Sequence, residues 1–264
     1  MDVRSLAFRT DLALLALGGS VVEDRGTHLA VRTPDNPAFH WGNFYLLARP
    51  PRADEVDALV ATYDAEFASS KHRAFGVDGT EDHGDALDPL VAAGPERDVA
   101  TVMTATTVHA PPRPNTTSEY RRLSTEGDWA ERVEISWAVN ADEYPREDYV
   151  PFATAKAATE RSLVEDGHGA WWGAYVEGRL VATMGLLRAG DGLARFQSVE
   201  THPDFRGRGL AGTLVHRVSG YGFDELGART LVMVADPDYL AVRIYRSVGF
   251  ADTEVQTQLR QTRR

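Results

Sequence analysis

The chain reads as an α/β (α+β) protein, a mixed sheet flanked by helices, arranged as two tandem domains. Three observations predict this. Short runs rich in Val, Leu and aromatic residues alternate with stretches whose apolar residues recur at helical spacing. The order strand, strand, strand, helix, strand, helix, strand occurs twice. Between the two occurrences lies His109-Ala-Pro-Pro-Arg-Pro-Asn-Thr-Thr117, where three prolines in four residues favour an extended, semi-rigid linker. The expected boundaries are 1–110, a linker at 111–117, and 118–264.

In the first half, Thr10 is a suitable N-cap for a helix over Asp11–Ala16, which Gly18-Gly19 stops. Gly19–Glu23 and His28–Arg32 read as strands about an Asp-Arg-Gly turn. His40–Leu47 is an aromatic-rich strand closed by Arg49-Pro-Pro-Arg52. Ala53–Phe67 places Val56, Leu59, Val60, Tyr63 and Phe67 on one helical face. A strand over Arg73–Val77, a helix over Asp85–Ala93 with Pro89 in its first turn, and a strand over Asp98–Thr106 follow. If this half is a degenerate copy of the second, Arg49-Pro-Pro-Arg52 stands in place of an anion-binding loop. Pro50 and Pro51 then lack two of the N–H donors a phosphate needs. An unrelated small α+β domain fits the same elements.

The second half begins with a strand over Ser118–Leu123 and helices over Asp128–Val139 and Glu147–Val164. Ala170–Val176 and Leu180–Leu187 form a hairpin about Glu177-Gly178, followed by a strand over Leu193–Val199. A helix starts at Leu210, a strand spans Arg229–Ala235, a helix Tyr239–Val248, and an alternating strand Asp252–Leu259. The Arg-rich tail after it is expected to fray.

Between the strand ending at Val199 and the helix at Leu210 lies Arg206-Gly207-Arg208-Gly209. Two glycines let backbone N–H groups converge at a helix N-terminus, where orphan donors and the helix dipole favour an anion. The arginines add charge, and a phosphate or pyrophosphate is the natural guest. The Gly-Lys-Ser/Thr of a nucleotide-hydrolase loop is absent, and no glycine stands three residues after Gly209 to complete a dinucleotide fingerprint. The stretch resembles the acyl-CoA loop of the GNAT N-acetyltransferase superfamily, (Gln/Arg)-x-x-Gly-x-(Gly/Ala), with Arg206, Gly209 and Ala211 at its three fixed positions. Val199 and Pro203-Asp-Phe205 match the family's usual approach to that loop. Asp238-x-x-Ala241-x-x-Ile244-Tyr245-x-x-x-Gly249-Phe250 is similar to the family's Asn-x-x-Ala-x-x-Leu-Tyr-x-x-x-Gly-Phe, with Asp238 where Asn is usual. The resemblance covers roughly residues 118–264.

It implies transfer of an acetyl group from acetyl-CoA to an amine by direct attack in a ternary complex. By the same resemblance, Val199, Thr201, Arg206, Gly207, Arg208, Gly209, Leu210, Ala211 and Asp238 hold the cofactor. Val199 and Thr201 would act through their main chain. Tyr245 is the matched proton donor to the departing thiolate, since a phenol is protonated at neutral pH. Glu200 is the candidate base. Strand alternation puts it on the face opposite Val199 and Thr201 unless a bulge intervenes, and a salt bridge to Arg206 or Arg208 is the alternative role. Gly209 is expected to let the helix N-terminus approach the pyrophosphate. His202 at its turn reads as exposed, and His168 with Trp171-Trp172 as packing or a pocket wall.

The chain has no Cys, which excludes a thiol-bound acyl-enzyme, disulfides and thiolate metal sites. No metal signature is found; the run Glu81, Asp82, His83, Asp85 reads as a solvated loop. There is no apolar run of membrane-spanning length, and a cytoplasmic protein is expected. The net charge of −11 argues against nucleic acid or an anionic membrane as partner and suits a cationic amine. Residues 1–117 carry 10 basic and 17 acidic side chains, the remainder 18 and 22, so the half with the loop is the less acidic. A non-catalytic CoA-binding or regulatory module is the alternative function. The first half is expected to form a wall of the acceptor pocket, a homodimer surface or a partner-binding domain.

Overall fold

In a computed structural model that describes residues 1–263, the chain is a mixed α/β protein with helices flanking mixed sheet, and it divides into two compact units. The first comprises Met1–Val102, Val234–Pro237 and the residues from Thr253 on. The second comprises Met103–Met233 and Asp238–Asp252.

The first unit opens with α1 (Leu6–Leu17), which starts earlier than expected. Its entry N–H groups are satisfied by distant carboxylates. Asp78 accepts from Arg4 and Ser5 at 3.0 and 3.1 Å, and Glu254 accepts from Leu6 at 2.8 Å. Thr10 is therefore no cap but a buried helical residue whose hydroxyl donates to Leu6 O. The strands β1 (Val21–Asp24), β2 (His28–Arg32) and β3 (Phe44–Leu47) pair antiparallel in sequence order. The expected strand over His40–Leu47 is shorter because His40–Gly42 forms a 3-10 turn. Asn43 closes it, its side chain donating to Asn36 O and Phe39 O and accepting from Thr33 N–H.

α2 (Ala53–Glu66) is capped by Glu55, which accepts the Arg52 N–H at 2.8 Å and pairs with Arg49. β4 (His72–Val77) runs parallel to β3. The expected helix over Asp85–Ala93 divides into a 3-10 turn at Gly84–Leu87 and α3 (Asp88–Ala92), and β5 (Glu96–Ala105) follows. In the polar run before α3, Asp82 accepts from Gly84 N–H and pairs with Arg97.

The second unit contains β6 (Glu119–Arg122), α4 (Glu126–Asn140) and α5 (Arg146–Glu165). It continues with β7 (Gly169–Val176), β8 (Arg179–Arg188), β9 (Leu193–Thr201), α6 (Leu210–Asp224), β10 (Thr230–Ala235) and α7 (Ala241–Arg246). Thr125 and Asp128 cap α4 reciprocally, hydroxyl to N–H in one direction and carboxylate to N–H in the other. β6 to β9 pair antiparallel in order, and β9 pairs parallel with β10. The two units thus repeat one connectivity: three antiparallel strands, a helix, and a strand parallel to the third.

The C-terminal boundary of the second domain, expected at 264, differs. β11 (Ala251–Thr262) pairs antiparallel with β4 of the first unit, Phe75 opposite Leu259. Leu259 is fully buried there among Tyr45, Tyr63, Phe75 and Leu90. Nor does the tail fray where expected. The strand runs to Thr262, and Arg263 donates its N–H to Lys71 O at 2.8 Å. Arg264 lies outside the described residues.

Candidate active site

The site is built around a fault in β9. Glu200 is opposite Thr183 on β8, whereas Gln197 is opposite Gly185, so Ser198 and Val199 share a single partner position. Ser198 takes a left-handed conformation, φ +45°, to accommodate the extra residue. Simple alternation would send Glu200 away from Val199 and Thr201. Val199, Glu200 and Thr201 nevertheless all line one cavity.

That cavity, about 690 Å³, lies within the second unit. One wall is the loop Phe205–Gly212 at the start of α6, and another is Tyr239–Ala241, Ile244 and Tyr245. Gly207 and Gly209 are both left-handed, φ +76° and +74°. A Cβ at Gly207 would meet nothing within 4 Å, leaving a cradle open over the helix N-terminus. Gly209 is in close contact with a neighbouring segment. A Cβ there would stand 2.5 Å from the Arg113 carbonyl oxygen, so the bare glycine permits a close approach of the 111–115 segment.

The Pro-rich linker is therefore part of the site. The Asn115 N–H donates to Thr213 Oγ1 at 2.8 Å, Asn115 Nδ2 donates to Arg208 O at 3.0 Å, and Pro111–Pro114 line the cavity. Arg206 Nε donates to Thr201 O, and Arg208 donates to Asp204 O with its guanidinium 4.7 Å over the Phe205 ring. Both arginines are exposed at the cavity edge.

The salt bridge from Glu200 to Arg206 or Arg208 does not form. Oε1 of Glu200 instead accepts from Ser136 Oγ at 2.9 Å, while Oε2 is buried without a hydrogen-bond partner. Burial pushes the carboxyl pKa up, an effect that Arg132, Lys156 and the Ser136 hydroxyl oppose and Glu160 reinforces. Arg132 is buried over the Trp171 ring and pairs with Glu160. Lys156 Nζ lies 2.6 Å from Glu160 Oε1 and 3.0 Å from Ser198 Oγ. Tyr245 is buried on α7 at the cavity wall, and burial, with a smaller contribution from Tyr239, raises its hydroxyl pKa. It remains a proton donor across the neutral range.

Asp238 is exposed in the turn before α7 and outside the cavity wall, which begins at Tyr239. Trp171 packs on Trp129 and Trp172 on Tyr221, so the pair serves packing. His202 is partly buried rather than exposed, its Nδ1 accepting from Asp204 N–H. Among the described residues no group of three His, Cys, Asp or Glu could hold a metal, and no helix is long and apolar enough to cross a membrane.

Arg132, Ser136, Tyr149, Lys156 and Glu160 were not legible as site residues. One signal was present: Trp129, Arg132, Val133 and Ser136 fall at i, i+3, i+4 and i+7, placing two polar residues on the buried stripe of α4.

Residues 129–250 match the family model described as Acetyltransferase (GNAT) family. Among solved structures, a functionally unknown conserved protein from Staphylococcus epidermidis superposes with TM-score 0.68 at 14% identity, over 93% of this chain and 94% of that one. A GCN5-related N-acetyltransferase from Kribbella flavida gives 0.67 at 16% identity, over 97% and 96%. A tandem GNAT protein from the clavulanic acid biosynthesis pathway gives 0.57 at 14%, over 94% and 87%. No curated protein matches the chain.

Proposed function

We propose, from the match of residues 129–250 to the GNAT acetyltransferase family model, that the protein is an acyl-CoA-dependent N-acyltransferase using acetyl-CoA as donor and an amine as acceptor. The observation that carries this reading is a single cavity bounded by the Arg206–Ala211 loop, the bulged end of β9, and Tyr245.

The residues fit the cofactor. The open cradle at Gly207 and the first-turn N–H groups of α6 suit a pyrophosphate, with Arg206 and Arg208 as counter-charges. Backbone groups of Val199 and Thr201 would hold the pantetheine arm, and acetyl-CoA, when bound, would supply an activated acyl group. Oε2 of Glu200 takes the proton of the attacking amine. As the N–C bond forms and the C–S bond breaks, Tyr245 gives its proton to the departing sulfur. The net acidity of the chain favours a cationic acceptor.

Release of free CoA from acetyl-CoA in the presence of a panel of primary amines tests the reading. Amine-dependent turnover supports it. Tight acetyl-CoA binding with no turnover on any amine would leave a binding module in its place.

A further inference from the structure

We infer that Asn140, Tyr149 and Ser136 form a one-way chain of hydrogen-bond donors that commits Oε1 of Glu200 as an acceptor and leaves Oε2 as the oxygen that takes the proton. The catalytic part of this inference rests on Glu200 being the base.

The direction of the chain follows from its ends. A backbone carbonyl only accepts, so the Asn140 atom 2.8 Å from Ser136 O is the amide nitrogen, Nδ2. Its other hydrogen is directed to the Tyr149 hydroxyl, also at 2.8 Å. Receiving that bond, Tyr149 donates its own proton to Ser136 Oγ at 3.0 Å. Ser136 donates in turn to Glu200 Oε1 at 2.9 Å, because a carboxylate only accepts. Ser136 and Asn140 stand one turn apart on α4, and Tyr149 is in the first turn of α5. Burial keeps Tyr149 protonated, as a donor must be.

Each donor polarises the next toward the carboxylate, so the chain stabilises the ionised form against burial. It cannot carry a proton away. Its far end is an amide N–H₂ with both hydrogens engaged and no place for another. A proton gained at Oε2 therefore does not leave through Asn140. The charged groups facing Glu200 are Arg132 from α4 with Lys156 and Glu160 from α5; the first two favour the carboxylate and the third opposes it. Asn140, Tyr149 and Ser136 are positioning residues.

The test needs no acceptor. The side-chain carboxyl of Glu200 is titrated by NMR in protein carrying 13C-labelled glutamate, its resonance assigned by Glu200→Gln. Tyr149→Phe keeps the ring against Tyr144 and Phe152. It should raise the Glu200 pKa by about half a unit, and Ser136→Ala by about one unit, as expected for loss of neutral donors to a charged group. Ser136→Thr, which keeps a hydroxyl, should restore the native titration. A Glu200 pKa that is unmoved or lowered in Tyr149→Phe overturns the chain, whether or not Ser136→Ala folds. The base assignment fails separately, if Glu200→Gln keeps native turnover on an amine that the wild type acetylates.

Discussion

Ser198 and Glu200 stand two residues apart on one strand, and the left-handed backbone of the first determines where the second points. Without the extra residue, Glu200 would lie on the sheet face opposite Gln197. With it, a carboxylate sits beside the backbone groups proposed to hold a thioester, and Lys156 reaches the Ser198 hydroxyl from α5.

Glu200→Gln should lower kcat/KM by roughly 100-fold or more, as loss of a positioned base does. In the wild type, the base is active only above its folded pKa, which burial raises. Activity should therefore fall as pH drops through that raised value, and this acidic limb should vanish in Glu200→Gln. A pH profile of kcat/KM on any accepted amine checks both points.

Tyr245→Phe retains the ring and its packing but removes the proton donor. The loss should fall on kcat, by roughly 100-fold at the lower end of general acid catalysis, because CoA thiolate is a good leaving group. Acetyl-CoA affinity by calorimetry should change little. An unchanged kcat, with chemistry rate-limiting, would assign Tyr245 to packing.

Gly207→Ala and Gly209→Ala should separate in stability. Both incur the cost of a left-handed non-glycine residue, about 1 kcal/mol. At position 209 the new methyl also meets Arg113 O, 2.5 Å away, so the linker or the helix start must shift. Overpacking of that kind costs about 1–3 kcal/mol more. Thermal unfolding of the two variants should show the larger drop in Tm for Gly209→Ala, and equal drops would argue that the 111–115 segment yields freely.

His72 supplies a pH prediction for the first unit. It is buried, its ring 4.0 Å from that of His40, with Ser70 Oγ 2.8 Å from Nδ1. Burial, aided by His40, lowers its pKa to about 4. The unfolded chain then binds the proton more readily, so the stabilisation is complete above the ordinary value near 6.5 and is lost as pH falls toward 4. The loss should reach roughly 2–3 kcal/mol. Denaturant titrations at pH 7, 5.5 and 4.5 on wild type and His72→Gln check it: the wild type should weaken more steeply, and parallel profiles would count against His72.

A fragment of residues 118–264 should not fold into an active enzyme. β11 would be parted from β4 and Leu259 from its pocket, leaving a long strand unpaired. Size-exclusion chromatography should show association or precipitation; a soluble monomer with full amine-dependent turnover would contradict this.

The elements themselves were largely legible because periodicity is local. β2 was expected over His28–Arg32 and is found there, and α2, β8 and β9 differ by one or two residues at their ends. The loop was legible because glycine spacing constrains backbone conformation directly. What escaped depends on partners far along the chain. α1 begins at Leu6 because Asp78 and Glu254 meet its N–H groups, and no local signal marks that. The bulge at Ser198 carries no residue preference, since left-handed serine is uncommon. The chain to Glu200 unites α4, α5 and β9 through single polar residues that sequence alone reads as surface.

The pairing of β11 with β4 also constrains how the protein is made. Arg73 and Gln261 meet across 188 positions of sequence, so the first unit cannot close its sheet when its own first hundred residues leave the ribosome. It must wait, with β4 paired to β3 on one edge and open on the other, while the second unit is synthesised. Translation that stops short of β11 would then strand the amino-terminal portion unfinished, and chaperone demand should be greatest during that interval.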